Sequence, residues 1–220
     1  MSAMLRAPPI AVERRRHRRG RPPREIAAAL TATIVEAAMR GFLEDGYAAT
    51  SLERIAAQAG VSKRTLYARF RDKPALFAAA VAALVARWSA RYPEPVAAVP
   101  DLAAALTEAG RQMLDVGLSA EGLALFRLVV AEGSRVPNLA GILAKAGAGV
   151  GIERVAAVLA AHGAAEPVVL AEQFQRLVLT GPQLRALGLG APLDEAGRTA
   201  WLRSCVGVML AATHANARPI

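Results

Sequence analysis

Residues Thr50–Leu76 read TSLERIAAQAGVSKRTLYARFRDKPAL, the pattern of two short helices joined by a tight turn. Thr50 is placed to cap the first helix, with Glu53 three residues on reaching back in a capping box. Leu52, Ile55 and Ala56 share one face, as a helix packed on a core requires. Gly60 tolerates the left-handed backbone that ends such a helix. Ser62 is a good N-cap for a second helix, with Leu66, Tyr67 and Phe70 at its inward or boundary positions. Lys63, Arg64, Thr65, Ala68 and Arg69 are left facing outward. The reading is a helix-turn-helix, a shape that lays its second helix in the major groove of DNA. The same hairpin also occurs as a plain structural element with a solvated basic face, so shape has to be weighed with charge.

The chain of 220 residues has a formal net charge of +9. Residues 1–73 hold 15 Lys and Arg against 7 Asp and Glu, whereas residues 74–220 hold 12 against 11. A nearly neutral body with one strongly basic end is the footprint of a polyanion binder. Its affinity for DNA is expected to fall steeply with salt, because each neutralised phosphate releases counterions. The charge is densest in ERRRHRRGRPPRE, residues 13–25, where seven arginines surround a Gly-Arg-Pro-Pro turn that cannot continue a helix. Mutual repulsion makes residues 1–23 an arm expected to be disordered when free. On DNA, Arg18, Arg19 and Arg21 are candidates to follow the backbone or enter the minor groove, where the negative potential favours arginine. The alternative for this arm is a solubilising tail. Few large apolar residues are interleaved with the arginines, which disfavours a membrane surface.

These residues resemble the TetR family of bacterial transcriptional regulators. The family pattern of Thr, Ile-Ala, Ala-Gly-Val-Ser, Leu-Tyr, Phe, Lys and Leu is met by Thr50, Ile55-Ala56, Ala59-Gly60-Val61-Ser62, Leu66-Tyr67, Phe70, Lys73 and Leu76. Upstream, a helix with Ile26, Leu30, Ile34, Ala38 and Phe42 on one face leads to Asp45-Gly46-Tyr47, another family-like feature. The segment LFRLVVAEGSRVPNLA, Leu125 to Ala140, also resembles a ligand-domain segment of some members. The resemblance implies that Lys63, Arg64 and Thr65 read base edges and that Tyr67 and Lys73 hold phosphates. Arginine or lysine can donate to guanine O6 and N7 in the major groove, which agrees with the first assignment. The hydroxyls of Thr50 and Ser62 suit phosphate anchoring beside helix N-terminal amides. Two positions depart from the family pattern. Arg69 stands where His or Tyr is frequent and adds a candidate phosphate contact, and Pro74 stands where an acid usually follows the lysine.

From Ala75 onward the sequence is rich in Ala, Leu and Val, with Gly and Pro punctuation and no sustained strand alternation. Helices are expected near 74–91, 101–117, 119–133, 138–162, 166–187 and 194–214, with Asp101 as a cap and Asp194-Glu195 in a first turn. The predicted fold is all-α. An N-terminal three-helix helix-turn-helix DNA-binding domain, 24–73, is followed by a larger helical ligand-binding and dimerisation domain, 74–220. By the family resemblance, the second domain forms a homodimer and holds a small-molecule pocket whose occupancy alters the spacing of two reading heads. The last two helices carry Phe174, Leu177, Val178, Leu184, Leu187, Trp201, Val208 and Leu210 for pairing with a twin, and Gly181, Gly207 and Ala211 for close approach. Each of these residues also fits an ordinary intrachain core. One recognition helix reads only a few base pairs, which is a physical reason to expect a twofold partner. The pocket candidates implied by the resemblance are Trp88, Met113, Phe126 and Gln173, although aromatic and Met residues at helical spacing are commonly core. Arg111, Arg127 and His162 are candidates for an acidic group on an otherwise hydrophobic ligand.

Enzyme readings lack residues to carry them. His17, His162 and His214 are far apart, no His-x-x-x-His or Cys-x-x-Cys spacing offers metal ligands, and no cofactor is expected. Cys205 is the single cysteine and sits in an apolar helix, where a buried free thiol is the default. AGAGVG at 146–151 follows no strand, so it is read as flexibility within a helix rather than a dinucleotide loop. The basic N-terminus does not lead into a signal-peptide pattern, and no uncharged apolar run approaches bilayer length. A cytoplasmic protein is expected, binding a double-stranded DNA operator and a small effector. The reading from a different class is an architectural, nonspecific DNA binder dominated by the arginine arm.

Overall fold

The computed structural model describes residues 24–92, 101–133, 136, 138–145 and 149–216. The arm residues Arg18, Arg19 and Arg21 therefore lie outside the described residues. Among the described residues the chain forms helices and no strand. In order they are α1 Arg24–Asp45, α2 Leu52–Gln58, α3 Lys63–Tyr67, α4 Lys73–Ala90, α5 Leu102–Gly117, α6 Ala120–Glu132, α7 Leu139–Lys145, α8 Val150–Ala161, α9 Pro167–Ala186 and α10 Glu195–Asn216.

Short polar side chains start most of these helices by satisfying amides that have no partner within the helix. Ser51, Ser62, Asp72, Asp101 and Ser119 each accept from the amide three residues on, and Asp194 does the same for Gly197 at 2.7 Å. The cap of α2 is thus Ser51 rather than Thr50. The Thr50–Glu53 capping box does not form, and Glu53 instead pairs with Lys63 at 3.6 Å. Thr50 is displaced because its hydroxyl is directed inward, lying 2.9 Å from the Gly41 carbonyl and 2.7 Å from that of Gly46. It ties the end of α1 to the turn that follows. Gly60 closes α2 with φ +66°, in the left-handed region that a side chain would resist.

Two apolar clusters organise the chain. The first joins α1, α2, α3 and α4 through Ile34, Phe42, Ile55, Leu66, Leu76, Phe77 and Leu84, and it takes Leu128 from α6 and Leu139 and Ile142 from α7. The second joins α5, α8, α9 and α10 through Leu106, Met113, Leu159, Phe174, Val178 and Met209. Burying each such side chain contributes about 1.5–3 kcal/mol. The division at residue 73 expected from sequence does not coincide with a boundary between cores. Starting at Lys73, α4 supplies the floor of the first cluster along most of its length.

Several sequence expectations change in detail. The 138–162 helix appears as two, α7 and α8, with Gly149 at the N-cap of the second. Gly149 has no side chain to cap α8, and glycine's entropic cost inside a helix favours its place at the helix end. Ile26, expected on the core face of α1, is 58% exposed. The stretch Glu25–Asp45 is long and apolar enough to cross a bilayer by length and composition. However, Ile34, Ala37, Ala38, Met39 and Phe42 pack into the first cluster, and Glu36 on the outer face pairs with Arg87 at 3.1 Å. The apolar side of that helix therefore belongs to the protein core.

Candidate nucleic-acid interface and interior cavity

The turn from α2 to α3 presents a compact outward face. Leu66 is fully buried and Phe70 nearly so, which fixes α3 against the first cluster. The same anchoring leaves Lys63, Arg64 and Tyr67 exposed, with Tyr67 at 47%. Ser62 Oγ accepts from the Thr65 amide at 3.1 Å and lies 2.8 Å from Thr65 Oγ1, so both hydroxyls hold the start of α3. The cations differ in how free they are. Lys63 is loosely paired with Glu53, Arg54 with Asp45 at 2.7 Å and Arg71 with Asp72 at 2.7 Å, all at exposed sites where such pairs are weak. Arg64 has no ion pair among the described residues. It is an exposed, unpaired guanidinium on the outer face of a helix fixed by the core.

Three predicted contacts are placed differently from expectation. Thr50 is 2% exposed with its hydroxyl engaged internally, so it is a fold anchor and not a phosphate ligand. Arg69 is half-buried; its Nε donates to Thr31 Oγ1 at 3.2 Å and its Nη1 to the Thr65 carbonyl at 3.3 Å, strapping α3 to α1. Lys73 Nζ donates to the Ala48 carbonyl at 3.2 Å and lies 4.5 Å from the centre of the Tyr47 ring. Partial burial lowers the Lys73 pKa while the nearby Glu132 carboxylate opposes that shift. The ammonium clamps the turn that leads into α2.

Glu132 completes this clamp from another helix. Its Oε2 accepts from the Ala48 amide at 2.7 Å, so the last residue of α6 holds the N–H of the residue whose carbonyl Lys73 holds from α4. Sequence gave no sign of this contact, which spans 84 residues. A second tie is Arg87 on α4, which pairs with Glu36 of α1 at 3.1 Å and with Glu121 of α6 at 2.6 Å.

Helices α4 and α6 also wall a cavity of about 300 Å³, which α5, α7, α8 and α9 complete. Trp88, Met113 and Phe126 line it, together with Leu125, Val129 and Leu179. Gln173 does not. It is exposed on the opposite side of α9, and the glutamines that face the cavity are Gln112, Gln175 and Gln183. Residues two apart on a helix point about 200° from each other, which puts Gln173 and Gln175 on opposite sides of α9. Arg111 is occupied by Glu108 and Asp115 at 2.7 and 2.8 Å, Arg127 is exposed, and neither lines the cavity. Arg154, which sequence reading did not single out, does.

The residues of α9 and α10 expected at a dimer contact fall into two groups. Phe174 and Val178 are fully buried within the chain, and Gly181 leaves room for the Trp201 indole, whose N–H lies 3.1 Å from the Leu177 and Val178 carbonyls. Leu177 and Val208 are 39% and 52% exposed, and Gly207 has open space above it. The Cys205 thiol is buried, which raises its pKa and keeps it protonated near neutrality.

No curated protein sequence matches the chain. Residues 34–80 match the family model for bacterial regulatory proteins of the tetR family, and residues 104–214 match that for the AefR-like transcriptional repressor C-terminal domain. Among solved structures, the chain is similar to a TetR-family transcriptional regulator from Mesorhizobium loti at 25% identity and a TM-score of 0.72, covering 84% of this chain and 97% of the other. It is similar to the flavonoid-responsive regulator FrrA at 32% identity and 0.67, with 84% and 97% covered. A TetR regulator from Agrobacterium tumefaciens aligns at 25% identity and 0.65, with 86% and 98% covered. With both halves matched in order and the reading head and cavity in place, this chain belongs to the TetR family of DNA-binding transcriptional regulators.

Proposed function

We propose that the protein is a homodimeric repressor that reads a pseudo-palindromic operator through α3 and is released from it by a small apolar effector. The observation that carries this reading is Arg64, exposed and unpaired on a core-anchored helix within the strongly basic end of the chain. Lys63, Arg64 and Thr65 are assigned to base edges. Ser62, Tyr67, Lys73 and Arg69 flank them near phosphates, and the arm carrying Arg18, Arg19 and Arg21 adds backbone or minor-groove contacts. Regulators of this family bind DNA and small-molecule effectors and act as dimers. For this chain, Val169 and Leu177 of α9 and Val208 of α10 offer exposed apolar surface for a second copy. The repressor assignment is supported by the AefR-like match, and an apolar effector by the lining of the cavity and the flavonoid response of a relative.

Selection of bound sequences from a random duplex library by the full-length protein tests this reading. An enriched inverted repeat is expected. Tight, salt-sensitive binding without enrichment would replace it with the architectural alternative in which the arginine arm dominates.

The route from cavity to head runs along α6 and α4, which wall the cavity and meet at the Ala48 backbone through Glu132 and Lys73. E132A is expected to retain operator binding. It should raise the effector concentration for half-release by about 2–10-fold, the size of one hydrogen bond of about 0.5–1.5 kcal/mol. Fluorescence anisotropy of a labelled operator, titrated with a flavonoid, reads this directly, and an unchanged midpoint would remove Glu132 from the route.

A further inference from the structure

The polar groups around the cavity divide into those already satisfied and those left open. Tyr92 donates to Asp115 at 3.2 Å, Gln112 to Glu108 at 2.7 Å and Gln183 to the Gly117 carbonyl at 3.2 Å. The acids that touch these lining residues, Glu108 and Asp115, both accept from Arg111. No carboxylate lines the cavity itself. Two donors remain. The Trp88 indole N–H is buried and has no hydrogen-bond partner. Arg154, half-buried on α8, has neither an ion pair nor a hydrogen bond among the described residues. Buried donors are ordinarily paired, and a partly desolvated guanidinium ordinarily has a counter-ion. Both open groups donate, so what completes them must accept, and the completion of Arg154 favours negative charge.

We infer that the effector is an apolar monoanion, a ring or chain body carrying one acidic group, whose anion pairs with Arg154. This rests on the reading of the cavity as the effector site and narrows the chemical class it admits. The hydrocarbon part contacts Leu125, Phe126, Val129 and Leu179, which line the same cavity. Dispersion and apolar burial hold the body, and the acid fixes its orientation. Neutral molecules of the same shape leave Arg154 without a counter-ion and are discriminated against by that amount.

The test uses two probes that differ by one anionic sulfonate group, 8-anilino-1-naphthalenesulfonate and its neutral parent N-phenyl-1-naphthylamine. Binding is followed in a W201F background, where Trp88 is the remaining tryptophan and its quenching reports occupancy of the cavity rather than of the basic surface. The sulfonate is expected to bind more tightly than the neutral parent. R154M should weaken the sulfonate about 10–100-fold, the effect of losing a hydrogen bond to a charged group, and change the parent less than about twofold. R154Q, with thermal melting measured on each variant, separates lost charge from lost fold. Equal affinity for both probes, or an equal loss of both in R154M, overturns the acidic-effector inference while leaving a cavity that binds ligand. No Trp88 quenching by either probe overturns this inference and the effector reading together. Trp88 quenching by the sulfonate without release of a labelled operator upholds the ligand class and overturns the effector reading alone.

Discussion

Replacing Phe42 with alanine is expected to cost about 3–5 kcal/mol of folding stability, the range for a fully buried phenylalanine. Phe42 lies at the centre of the first cluster, with its ring edge-on to Phe77 at 5.1 Å and stacked with Tyr47 at 5.7 Å, while Tyr47 and Phe77 meet at 5.3 Å. The loss combines transfer of the ring to water, a cavity between α1 and α4, and two aromatic contacts. Domains are stable by only about 5–15 kcal/mol, so the substitution removes a large share of the margin. The consequence reaches function through the turn that Tyr47 begins. Lys73 sits over the Tyr47 ring, and both Lys73 and Glu132 hold the adjoining Ala48 backbone. Chemical denaturation should show a lower midpoint, and operator binding should weaken with it. F42L, which keeps most of the volume, should lose much less. A midpoint for F42A within the range of surface substitutions would show that α1 and α4 close over the gap and that the aromatic cluster does not organise the head.

Replacing Arg64 with alanine is expected to lower the preference for operator over random duplex by about 1–3 kcal/mol for each half-site, and so by about 2–6 kcal/mol for a dimer on an inverted repeat. Among the described residues Arg64 has no ion pair, so none of those contacts has to be broken for it to reach a base edge, and its removal strands no partner among them. Folding should be unaffected, because Leu66 and Phe70 and the Ser62 cap fix α3 without it. Competition binding with operator and random duplexes separates the two components. Loss on the operator alone marks base readout, whereas equal loss on both reduces Arg64 to a phosphate contact and lowers the salt slope by about one for each half-site, so by about two for a dimer.

Much of the reading head was legible because its signals are local. The Ser62 cap, the left-handed Gly60 and the inward Leu66 and Phe70 each depend on residues within one or two turns, and all four appear as expected. Helix positions in the second half were legible for the same reason, since Asp101 and Asp194 mark their own starts. Thr50 shows where local reading stops. Local pattern pointed to Thr50 as the cap of α2, but the adjacent Ser51 takes that place. The choice of Ser51 was settled by the carbonyls of Gly41 and Gly46, which claim the Thr50 hydroxyl from outside the helix.

What the chain determined by itself was therefore an all-helical molecule with a basic end and an outward Arg64 on a capped, amphipathic turn. Periodicity and capping act over a few residues and need no partner. Only the tertiary structure decided which long side chains meet. It took Arg69 and Lys73 into straps and clamps, put Gln175 rather than Gln173 on the cavity, and brought Trp88 and Arg154 to the lining of one cavity. It also joined Glu132 to Ala48 across 84 residues. Those contacts depend on the rotation of each helix about its axis and on the packing of distant elements, and neither quantity is encoded in the spacing of neighbours along the chain.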